Sequence, residues 1–549
     1  MASLQRALTP TKFPDVVENI ENMPRPPKTT ANGIVLVPQP TDDPKDPLNW
    51  PMRKKLMNLG VIVLASFACD IANVANAASV AAQATDYNKT LVAISYSVSN
   101  YKFNLVPACK LTERLVLAQI SASVAGLAVG PLIWTPLARK FGKCLLIFWT
   151  TLVLLGTSIW GALCTKQGDY ISFIMSRTIA GLFGSASITL GAGLIIETFY
   201  LHQRGKCFTV YSIILLVGTV AGPTFSGFIV AYSTWPVEYW YNVGLEVVVL
   251  ILVPLCMSET GFTRPGGPIY PPLPENWVQD RIATFITGRV VPQTTWRQVL
   301  SAAGTQFAIM ASPVSLLAGG YLLIMFAWPV AVNTLLGVFL QTPVELGGYG
   351  FTPEQNSYFL FTSWIAIIVA EIYGHLVVDR FALYMCKRFN TGMWKPEYRL
   401  HSLWVPGLIL MPVGLGLFGA SLHGHYHPAV LALGLFGIVS SAVIAVPVLD
   451  TYVVECFTTL AAEANAVMNA WRIIFGLTIP FFITPWIARV GINWVFGSMA
   501  FFSIFAFSFL IVLMVAGHSV RRATFGHTGA DEEGISMTVN LQDMSQDKP

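Results

Sequence analysis

From residue 56 to residue 516 the chain is a succession of apolar segments, each about 20 residues long. Twenty residues of α-helix rise about 30 Å, the thickness of a bilayer's hydrocarbon core, and a helix satisfies its own backbone where there is no water to do so. A chain patterned this way folds as membrane-spanning helices. Six segments fall near 56–79, 120–137 with some upstream extension, 144–164, 170–195, 208–232 and 238–257, and six more near 314–341, 357–378, 402–421, 429–452, 465–488 and 493–516. Charged residues make up only 11% of the 549 and hydrophobic ones 54%, too little charge to cover a soluble protein of this length. The expectation is an all-α membrane protein with twelve transmembrane helices in two six-helix bundles, residues 52–257 and 314–516. A tail at 1–51, a polar, Pro-rich connection at 258–313 and a tail at 517–549 complete it.

The basic residues orient these helices. Arg53, Lys54 and Lys55 abut the first segment; Arg139, Lys140 and Lys143 lie between the second and third, and Arg204 and Lys206 between the fourth and fifth. Arg380, Lys387, Arg388, Lys395 and Arg399 lie between the eighth and ninth, and Arg521 and Arg522 follow the twelfth. All these connections share one side, so the positive-inside rule predicts that both termini are cytoplasmic. The connection with Glu455 and Glu463 breaks the pattern, having no Lys or Arg. The first fifty residues hold no apolar stretch of signal-peptide type, so the first helix serves as the insertion signal. On the opposite side, Asn88-Lys89-Thr90 is a glycosylation sequon, with Asn88 as acceptor.

One connection does not fit. Residues 98–119 form a long outward insertion; without it, 91–97 would join 120–137 as about 25 uncharged residues, a well-formed spanning helix. Val98-Ser99 can be encoded by GTAAGT, Leu111-Thr112 can contain CTAAC, and Gln119 can be CAG. These resemble the donor, branch and acceptor signals of a short in-frame intron. Residues 98–119 are read as a retained intron or gene-model error, the alternative being a genuine extracellular loop.

Several functions are excluded. A net charge of +4, spread over ends and loops, gives no nucleic-acid footprint. Eight scattered cysteines lack CxxC spacing, and His423-Gly-His425-Tyr-His427 has no carboxylate or thiol beside it, so no metal site is expected. No phosphate-binding loop of the Gly-Lys-Ser/Thr type occurs, and no helix pairs a nucleophile with a base. The chain reads as neither an ATP-driven pump nor an enzyme, and no cofactor is expected.

Charges inside the apolar segments point to function, because each costs about 2.5–3.5 kcal/mol at membrane depth on insertion scales. Arg177 either pairs with an acid or carbonyl in a cavity or snorkels to the interface. Asp70, near the middle of the first segment, suits a group that takes and releases a proton; Asn73 and Asn76 lie close to the same face. Glu246 is central in the sixth segment. Arg472 reads as structural, paired with Glu463. Gly218, Gly222, Pro223 and Gly227 let the fifth helix approach a neighbour closely and bend, as a hinge or for packing alone. Trp235, Trp240 and Trp328 read as interface anchors.

The turn 136–143 with Arg139, Lys140, Gly142 and Lys143, the Arg177…Gly181 helix and the Gly222-Pro223 helix together resemble the major facilitator superfamily. Asp46-Pro-Leu-Asn-Trp-Pro51, the Arg204-Gly205 turn and Asp450-Thr-Tyr452 are most similar to its fungal drug:proton antiporter-like branch. The resemblance covers about residues 40 to 516. It implies a monomer in the plasma membrane, working by alternating access, that exports a small organic molecule in exchange for protons. It gives the Arg177 helix a role in proton transfer. In place of the family's Gly-x-x-x-Asp-Arg-x-Gly-Arg, Thr135 stands where the Gly belongs and Arg139 where the Asp belongs, so the acidic member of the usual latch is absent. Gly374-His-Leu-Val-Val-Asp379-Arg380 is a weaker echo in the second half. Proton-coupled uptake of a nutrient or organic cation, and a sensor that kept the fold, are the alternatives.

Overall fold

The computed structural model describes residues 40–525 apart from 44–45, 76–78, 80–81, 84–85, 88–106, 263–270, 272–275, 289, 293, 345–347, 390–394 and 458–459. In chain order the long helices are α1 (Met52–Val74), α2 (Pro107–Phe141), α3 (Lys143–Leu163), α4 (Tyr170–Thr198), α5 (Leu201–Tyr232) and α6 (Pro236–Cys256). After the central connection come α7 (Pro313–Gln341), α8 (Pro353–Tyr373), α9 (Met411–Gly424, preceded by shorter turns from Glu397), α10 (Pro428–Cys456), α11 (Ala461–Val490) and α12 (Ile492–Phe525). Among the described residues, ten of these stretches are long and apolar enough to cross a membrane by length and composition; α2 and α11 are not in that set and pack among the others. The face where α1 begins and α12 ends is called the base below, and its opposite the top.

Local chemistry sets the ends. The Asp46 carboxylate accepts from the Leu48 amide at 3.0 Å, the Lys55 ammonium donates to the Leu48 carbonyl at 2.8 Å, and Pro51 stands where α1 begins. Between α2 and α3 the chain reverses on the single residue Gly142 at φ +88°, a left-handed conformation natural to glycine. Val248, Ile251 and Leu255 on α6, and Phe501, Phe505 and Val515 on α12, face outward as only a lipid-bathed protein tolerates.

Within the first bundle α4 packs on α1, α2 and α3, and α5 on α1. The α2–α4 approach is backbone to backbone: a Cβ on Gly126 would sit 2.2 Å from the Leu182 nitrogen, and one on Gly181 2.1 Å from the Ser123 oxygen. The bundles meet along two seams, α2 against α11 and α5 against α8. Trp364 of α8 donates to Thr224 of α5 at 3.2 Å, and Phe228 meets Tyr358 edge-on at 5.2 Å.

The central connection carries a helix of its own, Trp296–Met310, opened by a capping box between Thr295 and Gln298 and packed on both α2 and α11 across the base. Helix α2 begins at Pro107, 35 residues before its end, which makes it about 52 Å long and more than a bilayer needs. Of the insertion 98–119, residues 98–106 lie outside the described residues and 107–119 are the first turns of α2. Asn76 and Asn88 also lie outside the described residues.

Candidate functional site

The carboxylate of Asp70 is 6% exposed and Asn73 3%, one turn apart on α1. Asp70 Oδ2 and both polar atoms of the Asn73 side chain have no hydrogen-bond partner. The neighbouring helices come close because they carry glycine here. A Cβ on Gly218 would lie 3.0 Å from Asp70 Cβ, one on Gly222 2.7 Å from Val74 Cγ2, and one on Gly184 of α4 2.7 Å from Asn73 Nδ2. Pro223 and Gly227 continue α5 beyond this contact. The glycines proposed as a hinge therefore sit against the segment of α1 that bears the acid.

Arg177 is buried to 1% and does not snorkel. Its Nη2 donates to the carbonyls of Ala72 at 2.6 Å and Asn73 at 3.0 Å, and its guanidinium lies 5.4 Å from the Tyr239 ring centroid. Arg177 thus ties α4 to the α1 turn that follows Asp70. Two acids of α6 share its field. Glu246 accepts from Ser158 of α3 at 2.8 Å and Glu238 from Ser79 at 2.6 Å, each keeping a second oxygen unpartnered. Glu246 therefore lies inside the first bundle rather than in the seam. Glu238 was not singled out in the sequence; its place in the first turn after Pro236 reads as a helix end. Above them Tyr87, Tyr170, Phe173, Trp235 and Tyr239 form a buried aromatic cluster. Trp235 is 2% exposed and donates to Asp86, and Trp328 is 3% exposed and donates to Ser503, so neither is an interface anchor; Trp240, 49% exposed, faces outward.

The pairing expected between Arg472 and Glu463 is corrected. Glu463, in the first turn of α11, bonds Arg139 at the end of α2, joining the two bundles across the base. Arg472 instead lies deeper, 8% exposed, 5.3 Å from the Phe326 ring of α7 and in the electrostatic field of Asp70 and of Asp450 on α10. The acid absent from the α2–α3 turn is thus supplied from the other bundle, with the charges exchanged.

The rest of that turn is equally charged. Lys143 Nζ meets Glu197 of α4 at 2.7 Å, and Thr260 donates to the same carboxylate. Glu259 accepts from the amides of Lys143 at 3.2 Å and Cys144 at 2.9 Å, capping α3 from the segment that follows α6. Burial pushes the Glu259 carboxyl above its ordinary value, a rise that the Cys144 amide opposes. Lys140 stacks over Trp296 of the connecting helix at 4.1 Å. In the second half Arg380 is exposed on the helix Asp379–Phe389, and the Asp379 side chain lies outside the described residues. Arg399–Glu455 at 3.1 Å and Arg521–Glu397 at 2.8 Å hold the base there.

Residues 59–479 match the family model described as Major Facilitator Superfamily. The chain belongs to that superfamily. It is an integral, multi-pass membrane transporter of that fold. Among its relatives are "Efflux pump radE" of Floropilus chiversii, 25% identical over 484 residues (87% of this chain, 83% of the relative), and "MFS-type efflux pump MFS2" of Trichophyton rubrum, 25% identical over 536 residues (93% and 82%). The solved proton:xylose symporter XylE bound to 6-bromo-6-deoxy-D-glucose is similar in fold, with a TM-score of 0.56 at 15% identity, covering 84% of this chain and 96% of that one.

Proposed function

We propose that the chain is a proton-coupled exporter of a small organic molecule, working by alternating access between its two bundles, as a monomer in the plasma membrane with both termini cytoplasmic. The observation that carries this reading is Asp70. It is buried in α1 against Gly218 of α5, keeps an unpartnered carboxylate oxygen, and stands in the field of Arg472 from the other bundle. A carboxylate so placed gains or loses a proton at the cost of a charge in a low-dielectric interior, and that cost can bias which face the bundles open. Arg177 fixes the α1 turn beside it. Export rather than uptake is supported by the printed names of the relatives, two of them efflux pumps. The base ends, tied by Arg139–Glu463, are then the cytoplasmic gate, Asn88 faces outward as a glycosylation acceptor, and removal of 98–119 leaves a spanning second helix.

Proteoliposome flux measured with and without an imposed pH gradient tests the coupling; flux indifferent to the gradient rules it out. In cells, deletion of the chain should raise accumulation and toxicity of the substrate. Lowered accumulation would reverse the direction.

A further inference from the structure

The connection between the bundles wraps the base of the first one as a belt. Helix Trp277–Ile282, continued by a wide helical turn over Ala283–Thr287, starts beside the end of α6, where Arg281 donates to the Met257 carbonyl. Phe285 packs edge-on against Phe148 of α3 at 5.7 Å, and Trp149 of α3 donates to the Phe285 carbonyl at 3.0 Å. Further on, Lys140 at the end of α2 donates to the Thr294 carbonyl at 3.3 Å, and helix Trp296–Met310 then crosses to α11.

One side of this belt is apolar and exposed. Val278, Ile282 and Ile286 recur every four residues, and Trp296, Leu300 and Phe307 fall at i, i+4 and i+11, one line along their helix; Ile286 is 64% and Leu300 70% exposed. The buried stripe of the second helix is a different one, Val299, Ala302, Gln306 and Ile309, and its polar Arg297, Gln298 and Ser301 take a third side. Trp149, itself exposed on a membrane-spanning helix, adjoins the apolar line and stands six residues, about 9 Å, from the base end of α3. The line therefore continues the lipid-facing surface at the depth of about 5–10 Å to which interfacial helices bury their apolar side.

Cations sit on aromatic rings at the same level. The Arg281 guanidinium lies 5.5 Å from the Trp277 ring centroid and 5.9 Å from that of Phe285, and Lys54 Nζ lies 3.8 Å from that of Trp50. Asn58 brings the two cations to one place: its side-chain amide donates to the Lys54 carbonyl at 2.9 Å, and its Oδ1 accepts at 2.9 Å from the amide of Ser258, next to the Met257 that Arg281 holds. Among the described residues neither cation is in an ion pair, and Asp280 is the acid set against Lys54 and Arg281. We propose that the belt lies in the base-side leaflet with its apolar line among the acyl chains, and that Lys54 and Arg281 bind the headgroup of an anionic phospholipid. Tryptophan is the residue that membrane interfaces favour, and an ammonium and a guanidinium together offer donors to a phosphate. The base is cytoplasmic in the orientation proposed above, and that leaflet is the one rich in anionic lipid. The inference rests on that orientation and on nothing about coupling, substrate or direction of transport.

Two measurements on the full chain test this. In the first, fluorescent short-chain phosphatidylserine or phosphatidylcholine is titrated into the detergent-purified protein and read by anisotropy. A basic residue near an anionic headgroup is worth about fivefold in affinity, so phosphatidylserine should bind about 25-fold tighter than phosphatidylcholine. Lys54→Gln and Arg281→Gln should each weaken phosphatidylserine about fivefold and leave phosphatidylcholine unchanged, while Arg281→Lys keeps the charge and most of the affinity. Lys54→Gln removes no hydrogen bond given for the Lys54 side chain, so it decides the matter even where Arg281→Gln, which loses the Met257 carbonyl, melts early in detergent. Equal affinity for the two lipids, or variants that bind phosphatidylserine as the wild type does, overturns the site. Inorganic phosphate should compete no better than chloride at equal ionic strength; stronger competition means a site for free phosphate and overturns the lipid. In the second measurement, nitroxides at Leu300→Cys and Ser301→Cys, in a background whose other reactive thiols are removed, are compared in phosphatidylcholine–phosphatidylserine nanodiscs. Position 300 should collide with oxygen, which concentrates in lipid, and position 301 with a water-soluble nickel chelate. Equal nickel access at the two positions puts the apolar line in water, and protection of position 300 from both reagents means that a protein surface covers it; either overturns the belt. Neither measurement uses a gradient or a transported substrate, so failure here leaves the transport reading standing.

Discussion

Cutting the ion pair that ties the two bundles at the base should open that face, and by unequal amounts from its two sides. The Glu463 side chain is 6% exposed and that of Arg139 50%. Arg139→Gln leaves a buried carboxylate without its partner, a loss of about 1–3 kcal/mol. Glu463→Gln leaves a half-exposed guanidinium that water solvates, a loss of about 0.2–1 kcal/mol once screening is allowed for. At about 1.4 kcal/mol per tenfold, the open population should rise about 5- to 140-fold in the first variant and up to about fivefold in the second. The reporter is a cysteine at Thr135, buried on α2 one turn above Arg139, labelled with a maleimide in a background whose other reactive thiols are removed. Arg139→Glu alone should label fastest, since it sets two acids against each other. Combined with Glu463→Arg it should return most of the way, short by about 0.3–1 kcal/mol because a cation in the first turn of α11 opposes the helix dipole. Labelling at the wild-type rate in Arg139→Gln, or a double exchange no slower than the single reversal, would refute the latch.

Three further outcomes follow from the same geometry. Arg177→Lys exchanges a planar guanidinium, whose Nη2 bonds two α1 carbonyls and which lies by the Tyr239 ring, for a shorter ammonium, so it should lower thermal stability in detergent by about 1–3 kcal/mol. Equal stability would mean that the two bonds do not hold α1 to α4. Glu259, whose folded carboxyl is raised by burial, binds its proton more tightly folded than unfolded. Its contribution is therefore full below the ordinary glutamate value and lost as pH rises through the raised one, and Glu259→Gln should flatten the fall of melting temperature with rising pH. An unchanged slope in that variant counts against it. Sequencing the transcript should reveal a spliced message lacking the 22 codons for 98–119; a message that always carries them sinks the intron reading.

The helices were legible because length and apolarity are properties of one segment at a time, and the bilayer fixes both. Arg177, Asp70 and Glu246 stood out for the same reason, as charges inside apolar runs. What the segments could not reveal is which charges meet. Arg139 and Glu463 are 324 positions apart, and no local pattern joins them. Glu238 and Glu259 each sit at or just past a helix end, where an acid is ordinarily solvated or favoured by the dipole, so nothing marked them, and Glu463, also at a helix end, was matched to the nearer Arg472. The helix Trp296–Met310 was hidden in a stretch whose prolines and polar residues read as a connection. It is a helix because Thr295 and Gln298 cap it and because α2 and α11 offer it a surface.

Two of the buried arginines, Arg177 and Arg472, show how one residue type can be held in different ways. Arg177 has surrendered its freedom: two donors lie on backbone carbonyls that neither titrate nor move relative to α1, so its charge is spent within one bundle whatever the bundles do relative to one another. Arg472 has no such bond and answers to one acid from each bundle, so any motion that separates α1 from α10 and α11 changes its energy. A rocking bundle couples to a proton only if the proton's site is sensed from the other side of the seam. On the proton-coupled reading proposed above, Asp70 would be the acid of the first bundle that Arg472 senses. Replacing Arg177 should therefore loosen α4 from α1, a loss that replacing Arg472, which makes no such bond, should not reproduce.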